Sequence, residues 1–123
     1  MPKIAIIDDD SDIVEALTML LSAKGYSVVS AANIPEAIKV VDGEKPDLIL
    51  LDVMMDEPDD GFYLANKFKQ KGVTIPIIML TSVSKAVGYE FGKGEVVPID
   101  DFIEKPVTPS VLIEKISKCL RTS

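Results

Sequence analysis

Two acidic clusters hold most of the reactive chemistry in this chain. Asp8, Asp9, Asp10 and Asp12 form the first, and Asp52, Asp56, Glu57, Asp59 and Asp60 the second. Carboxylates gathered in one place repel, and at neutral pH they require a cation or a proton among them. An all-oxygen donor set selects a hard ion such as Mg2+, which keeps several waters and also ligates phosphate oxygens. A carboxylate beside such an ion can act as a nucleophile toward a phosphoryl group. The transferred group then needs donors for its remaining oxygens, and the hydroxyl of Thr81 and the ammonium of Lys105 are suitable. Asp8, Asp9, Asp52, Thr81 and Lys105 together could therefore carry phosphoryl transfer. The chain contains no histidine, which excludes any mechanism that needs an imidazole within it.

Those side chains become a site only if the elements between them bring them to one rim. The pattern is strand then helix, five times over. Ile4 to Ile7 is an apolar run that stops at the aspartates. Ser11 to Lys24 has helical periodicity, with Ile13, Leu17, Leu20 and Leu21 on one face. Asp12 with Glu15 forms a candidate capping box, and Gly25 supplies the stop. Tyr26 to Ala31 predicts a second strand, and Asn33 with Glu36 caps a second helix. Leu48 to Leu51 is a third strand, ending on Asp52. Gly61 to Lys71 is a helix stopped by Gly72, with Leu64, Ala65 and Phe68 inward. Ile75 to Leu80 and Ile99 to Ile103 are the fourth and fifth strands, and Thr108-Pro109 opens the last helix. Between Ser84 and Pro98 a fourth helix is expected. It should be short or irregular, because Gly88, Gly92 and Gly94 interrupt it at about 0.5–1 kcal/mol each.

Such alternation predicts an α/β fold, a parallel sheet with helices on both faces. The first, third and fourth strands are almost purely aliphatic and belong in the middle; the second and fifth are mixed and belong at the edges. The picture matches a flavodoxin-like, doubly wound five-stranded sheet of order 2-1-3-4-5. Ligands of such sheets bind beyond the carboxyl ends of the strands at the switch point, here between the first and third. Asp8 and Asp9 flank that point on one side and Asp52 on the other.

The totals agree with this picture. The 123 residues suit a single domain over 1–123, and 47% hydrophobic content is enough to fill a core. No apolar run is long enough for a membrane span, and no signal peptide is expected. The lone Cys119 fits a cytoplasmic setting and reads as a small apolar helix residue. A net charge of −7 argues against direct nucleic acid binding by this domain.

Four segments carry a family resemblance. Ile6-Ile7-Asp8-Asp9-Asp10, Leu51-Asp52-Val53-Met54-Met55, Leu80-Thr81-Ser82 and Glu104-Lys105-Pro106 stand in the order and on the elements of a two-component response regulator receiver domain. The chain resembles that family, and chemotaxis-type regulators within it, over essentially its whole length. The resemblance implies that Asp8, Asp9, Asp52 and the Met54 carbonyl hold Mg2+, and that Asp52 is phosphorylated. Thr81 would bind the phosphoryl group, Lys105 would pair with it, and the Lys105-Pro106 bond would be cis. Phe102 matches a switch aromatic, without a hydroxyl. The partners implied are a histidine kinase or phosphotransfer protein upstream and an output domain or protein partner downstream. The signal would leave through the face of the fourth helix, the fifth strand and the last helix. Such a domain is a phosphorylation-switched signalling module, catalysing only its own phosphoryl transfer and slow dephosphorylation.

Two departures stand out. The family's usual proline four residues after the phosphoacceptor is replaced by Asp56, in an acidic loop that runs one residue longer to Gly61. The segment from Thr81 to Lys105 is long and glycine-rich. Rival readings fail on particular residues. A calcium loop starting at Asp8 would need glycine where Ile13 stands and glutamate where Met19 stands. A haloacid-dehalogenase-type phosphatase, with Asp8 as nucleophile and Asp10 as acid, would need an acidic motif after the lysine strand. A receiver-like module that is not phosphorylated would have lost an active-site residue, and none is lost.

Overall fold

The computed structural model describes residues 2–52, 60–82, 101–105 and 107–122; for 60–62, 81–82, 105 and 121–122 it describes the backbone alone. Five strands alternate with four described helices: β1 (Lys3–Ile7), α1 (Ser11–Ala23), β2 (Ser27–Ala31), α2 (Ile34–Glu44), β3 (Leu48–Asp52), α3 (Asp60–Gln70), β4 (Ile77–Ser82), β5 (Asp101–Lys105) and α4 (Pro109–Thr122). The helix expected between Ser84 and Pro98 lies outside the described residues, as do Met54, Asp56 and Pro106. All strands are parallel in the order β2-β1-β3-β4-β5, as the composition of the strands predicts.

Alternation along the strands divides the core into two layers. Ala5, Ile7, Ile49, Leu51, Ile77 and Met79 point to one face, where α2 and α3 cover them with Ala37, Val41, Leu64, Ala65 and Phe68. Ile4, Ile6, Leu48, Leu50, Ile78 and Leu80 point to the other, under Leu17 and Leu21 of α1 and Leu112 and Ile116 of α4. Ile4 to Ile7 and Leu48 to Leu51 have no exposed surface, as expected of strands covered on both sides. Burying each such side chain stabilises by about 1.5–3 kcal/mol, so the central strands fix the register of everything at their ends.

Local sequence sets where the elements start and stop. Asn33 caps α2 by accepting from Glu36 N at 2.9 Å, while Glu36 Oε1 accepts from Ala32 N at 3.1 Å. Gly25 and Gly72 take positive φ directly after α1 and α3, where a side chain would be strained. The cap of α1 falls earlier than the Asp12–Glu15 pairing predicts. Asp10 is extended and its Oδ1 accepts from Asp12 N at 3.0 Å and Ile13 N at 3.4 Å, so Asp12 already lies inside the first turn. Among the described residues no helix is long and apolar enough to cross a membrane.

Candidate metal centre

β1 and β3 pair in register up to Ile7↔Leu51, so the next residues, Asp8 and Asp52, leave the last apolar row at the same level. Asp8 extends the β1–β2 ladder by one step, its N–H donating to Ala31 O at 3.1 Å. Its carboxylate is 1% exposed and its Oδ1 accepts from Asp10 N at 2.9 Å. Asp52 is 5% exposed, and Asp9, one residue past Asp8, is exposed. A turn that sends Asp10 back to cap α1 therefore also pins Asp8.

Carboxylate oxygens of Asp8, Asp9 and Asp52 all lie within 4.8 Å of one another. Oxygens bound at about 2.0–2.1 Å around an octahedral ion sit roughly 3 Å apart when adjacent and 4 Å when opposite. The three lie close enough together that they could share one cation. Two are nearly buried and one faces solvent, which leaves an open side for waters or phosphate oxygens.

The other predicted participants reach the same rim through the sheet register. Asp52 pairs with Leu80, and Thr81 is the next residue along β4; Ser82 pairs with Lys105, the last residue of β5. The backbones at 81 and 105 thus stand one and two residues above the Asp52 level, on β4 next to β3 and on β5 beyond it. Their side chains, and Met54 altogether, lie outside the described residues. Phe102 lies on β5 opposite Met79, 40% exposed, and its N–H donates to Asp101 Oδ1 at 2.8 Å. One contact near it had no sequence signal: Lys115 of α4 and Asp101 of β5 form an ion pair at 2.8 Å, 14 residues apart.

The family profile of the response regulator receiver domain matches residues 4–117. The chain belongs to the response regulator receiver family. The alkaline phosphatase synthesis transcriptional regulatory protein PhoP of Bacillus subtilis (strain 168) is 36% identical over 98% of this chain and 49% of its own length. The phosphate regulon transcriptional regulatory protein PhoB of Pseudomonas aeruginosa is 40% identical over 96% of this chain and 51% of its own length. This receiver domain thus spans about half the length of the curated relatives it matches. Among solved structures, a two-component response regulator from Clostridium difficile is similar at 31% identity and a TM-score of 0.80, covering 98% of this chain and 97% of that one. The N-terminal domain of the nisin resistance regulator NsrR is similar at 33% identity and a TM-score of 0.78, covering 98% of each.

Proposed function

We propose that this receiver domain takes a phosphoryl group onto Asp52 from a histidine kinase or phosphotransfer protein, in a Mg2+-dependent reaction, and so switches an output domain or partner protein. The convergence of the Asp8, Asp9 and Asp52 carboxylates carries the reading, since it gathers a nucleophile and a hard-cation donor set at one rim. Asp8, Asp9, Asp52 and the Met54 carbonyl would hold the ion, and its charge would offset that of the carboxylates and of the incoming phosphoryl oxygens.

The chain's own residues then have distinct tasks. Asp52 supplies the attacking oxygen: it bonds to phosphorus while the donor's bond to phosphorus breaks, and the donor keeps that electron pair. Thr81 on β4 and Lys105 on β5, the next strand out, donate to the oxygens of the transferred group. Phe102 responds on the β5 edge as the rim rearranges, and the change is read on the face of β5, α4 and the segment between β4 and β5. A new charge of about −1.5 to −2 biases a pre-existing two-state equilibrium. Residues 1–123 act as one signalling domain in the cytoplasm, with no turnover beyond acquiring and slowly losing this group. The carboxylate-rich rim and the −7 net charge favour a protein partner over direct contact with nucleic acid.

Acetyl phosphate with Mg2+ tests the assignment by intact mass. One phosphoryl group is expected on the parent protein and none on Asp52→Asn, and excess chelator should prevent labelling. Full labelling of Asp52→Asn overturns the choice of acceptor, and full labelling in chelator overturns the metal dependence.

A further inference from the structure

We propose that Asp10 is a positioning residue for the ion site, its backbone N–H orienting the Asp8 carboxylate and its side chain fixing that N–H by capping α1; this rests on the reading of Asp8, Asp9 and Asp52 as ligands of one cation. Asp10 N–H donates to Asp8 Oδ1 at 2.9 Å, and Asp10 Oδ1 accepts from Asp12 N at 3.0 Å and from Ile13 N at 3.4 Å. The backbone of Asp8 is anchored separately, by its N–H bond to Ala31 O at 3.1 Å. That anchor leaves the side-chain torsions of Asp8 undetermined, and the bond from Asp10 N–H restricts them. The two uses of Asp10 depend on each other. Its side-chain oxygen, bound to the first turn of α1, holds the residue at φ −88, ψ 105, and that backbone setting decides where its N–H points.

The cap needs a side-chain oxygen, not a charge, and asparagine supplies one as well as aspartate does. Alanine supplies none. It leaves the Asp12 and Ile13 N–H groups without this acceptor and frees residue 10 from its extended setting. The Asp8 carboxylate then samples several orientations, of which only some turn an oxygen toward Asp9 and Asp52. An ion that requires one of them binds more weakly in proportion to the time spent there. If that fraction falls to about one fifth, the apparent Kd rises about fivefold. Asp10 is itself exposed, so solvent damps any direct pull of its charge on the ion.

Mg2+ affinity would be read by titrating the amide NMR spectrum, well below the melting transition, for the parent, Asp10→Ala, Asp10→Asn and the control Asn33→Ala, which removes the cap of α2. Asp10→Ala is expected to bind Mg2+ about fivefold more weakly. Asp10→Asn keeps the acceptor and should stay within about twofold of the parent. Asn33→Ala should lose stability comparable to Asp10→Ala with Mg2+ affinity unchanged, which separates positioning from capping as such. If Asp10→Asn weakens the ion as much as Asp10→Ala does, Asp10 acts through its charge and the positioning role is refuted. It is equally refuted if Asp10→Ala binds as the parent does, or if Asn33→Ala weakens binding as much. In each of these cases Asp8, Asp9 and Asp52 stand as ligands. If the parent protein binds no Mg2+, the ion site fails and the positioning role fails with it.

Discussion

Asp9→Asn should reverse the sign of its stability effect when Mg2+ is added. Asp9 is the exposed member of a trio whose oxygens lie within 4.8 Å of each other, so it repels two carboxylates when no cation is bound. At that separation, in a medium near bulk water, each pair costs about 1 kcal/mol. Exposure, side-chain rotation and salt reduce the total to roughly 1 kcal/mol for the two pairs. Neutralising Asp9 should recover that in chelator. For a domain of this length the entropy of unfolding turns 1 kcal/mol into a rise of about 4 °C in Tm.

With Mg2+ the order inverts. An ion bound only by the folded state stabilises it by about 2.7 kcal/mol at 100 times its Kd, roughly 10 °C here. The asparagine variant has lost one anionic ligand and should gain far less. Thermal unfolding by circular dichroism, in chelator and across a Mg2+ titration, reads both effects on the same samples. The curves of Tm against Mg2+ for parent and variant must cross. If Asp9→Asn is less stable than the parent in chelator and gains equally from Mg2+, the three carboxylates neither repel in the free protein nor share an ion.

Three further outcomes follow from the packing. Phe68→Ala empties a fully buried site between α3 and the sheet and should cost about 3–5 kcal/mol, lowering the urea midpoint with the slope unchanged. Asp10→Ala removes the acceptor for Asp12 N and Ile13 N and should lower Tm by about 4 °C, a cap being worth roughly 1 kcal/mol. Lys45 ends α2 at φ 48, ψ 62, so Lys45→Gly should raise stability by about 0.5–1 kcal/mol in urea unfolding; a loss would mean the long side chain makes a contact that outweighs the backbone relief.

The order of the sheet was legible because burial leaves a mark on composition. Ile4 to Ile7 and Leu48 to Leu51 have no polar position, whereas Ser27, Ser30 and Asp101 sit on strands with an open edge. The acidic trio was legible for the same reason: an apolar run that stops on aspartate marks a strand's end. The strand bounds were less so. β4 begins at Ile77 rather than Ile75, since Pro76 has no N–H to donate, although its carbonyl accepts from Ile49 N at 2.9 Å. β4 and β5 run on through Thr81-Ser82 and Glu104-Lys105, because ladder bonds are made by the backbone and hydropathy does not report them. The ion pairs Lys3–Glu44, Lys71–Asp42 and Lys115–Asp101 had no signal at all; partners so far apart in sequence obey no period.

The same register that made the fold legible also decides whether the three carboxylates can meet. Sliding β3 against β1 by one residue would turn Ile49 and Leu51 from the α2–α3 layer to the opposite face, losing the packing of both layers at once. A two-residue slide keeps the faces but moves Asp52 about 6.6 Å along the strand, beyond reach of an ion held by Asp8 and Asp9. It would also unpair Ile4 from Leu48 and leave apolar surface exposed at the foot of the sheet. The aliphatic side chains below the rim thus determine the spacing of the carboxylates above it. Carboxylate crowding near the surface costs only a few kcal/mol, while slipping the central strands forfeits several buried side chains at about 1.5–3 kcal/mol each. The core therefore prevails, and it holds mutually repelling groups at a spacing that an ion can close.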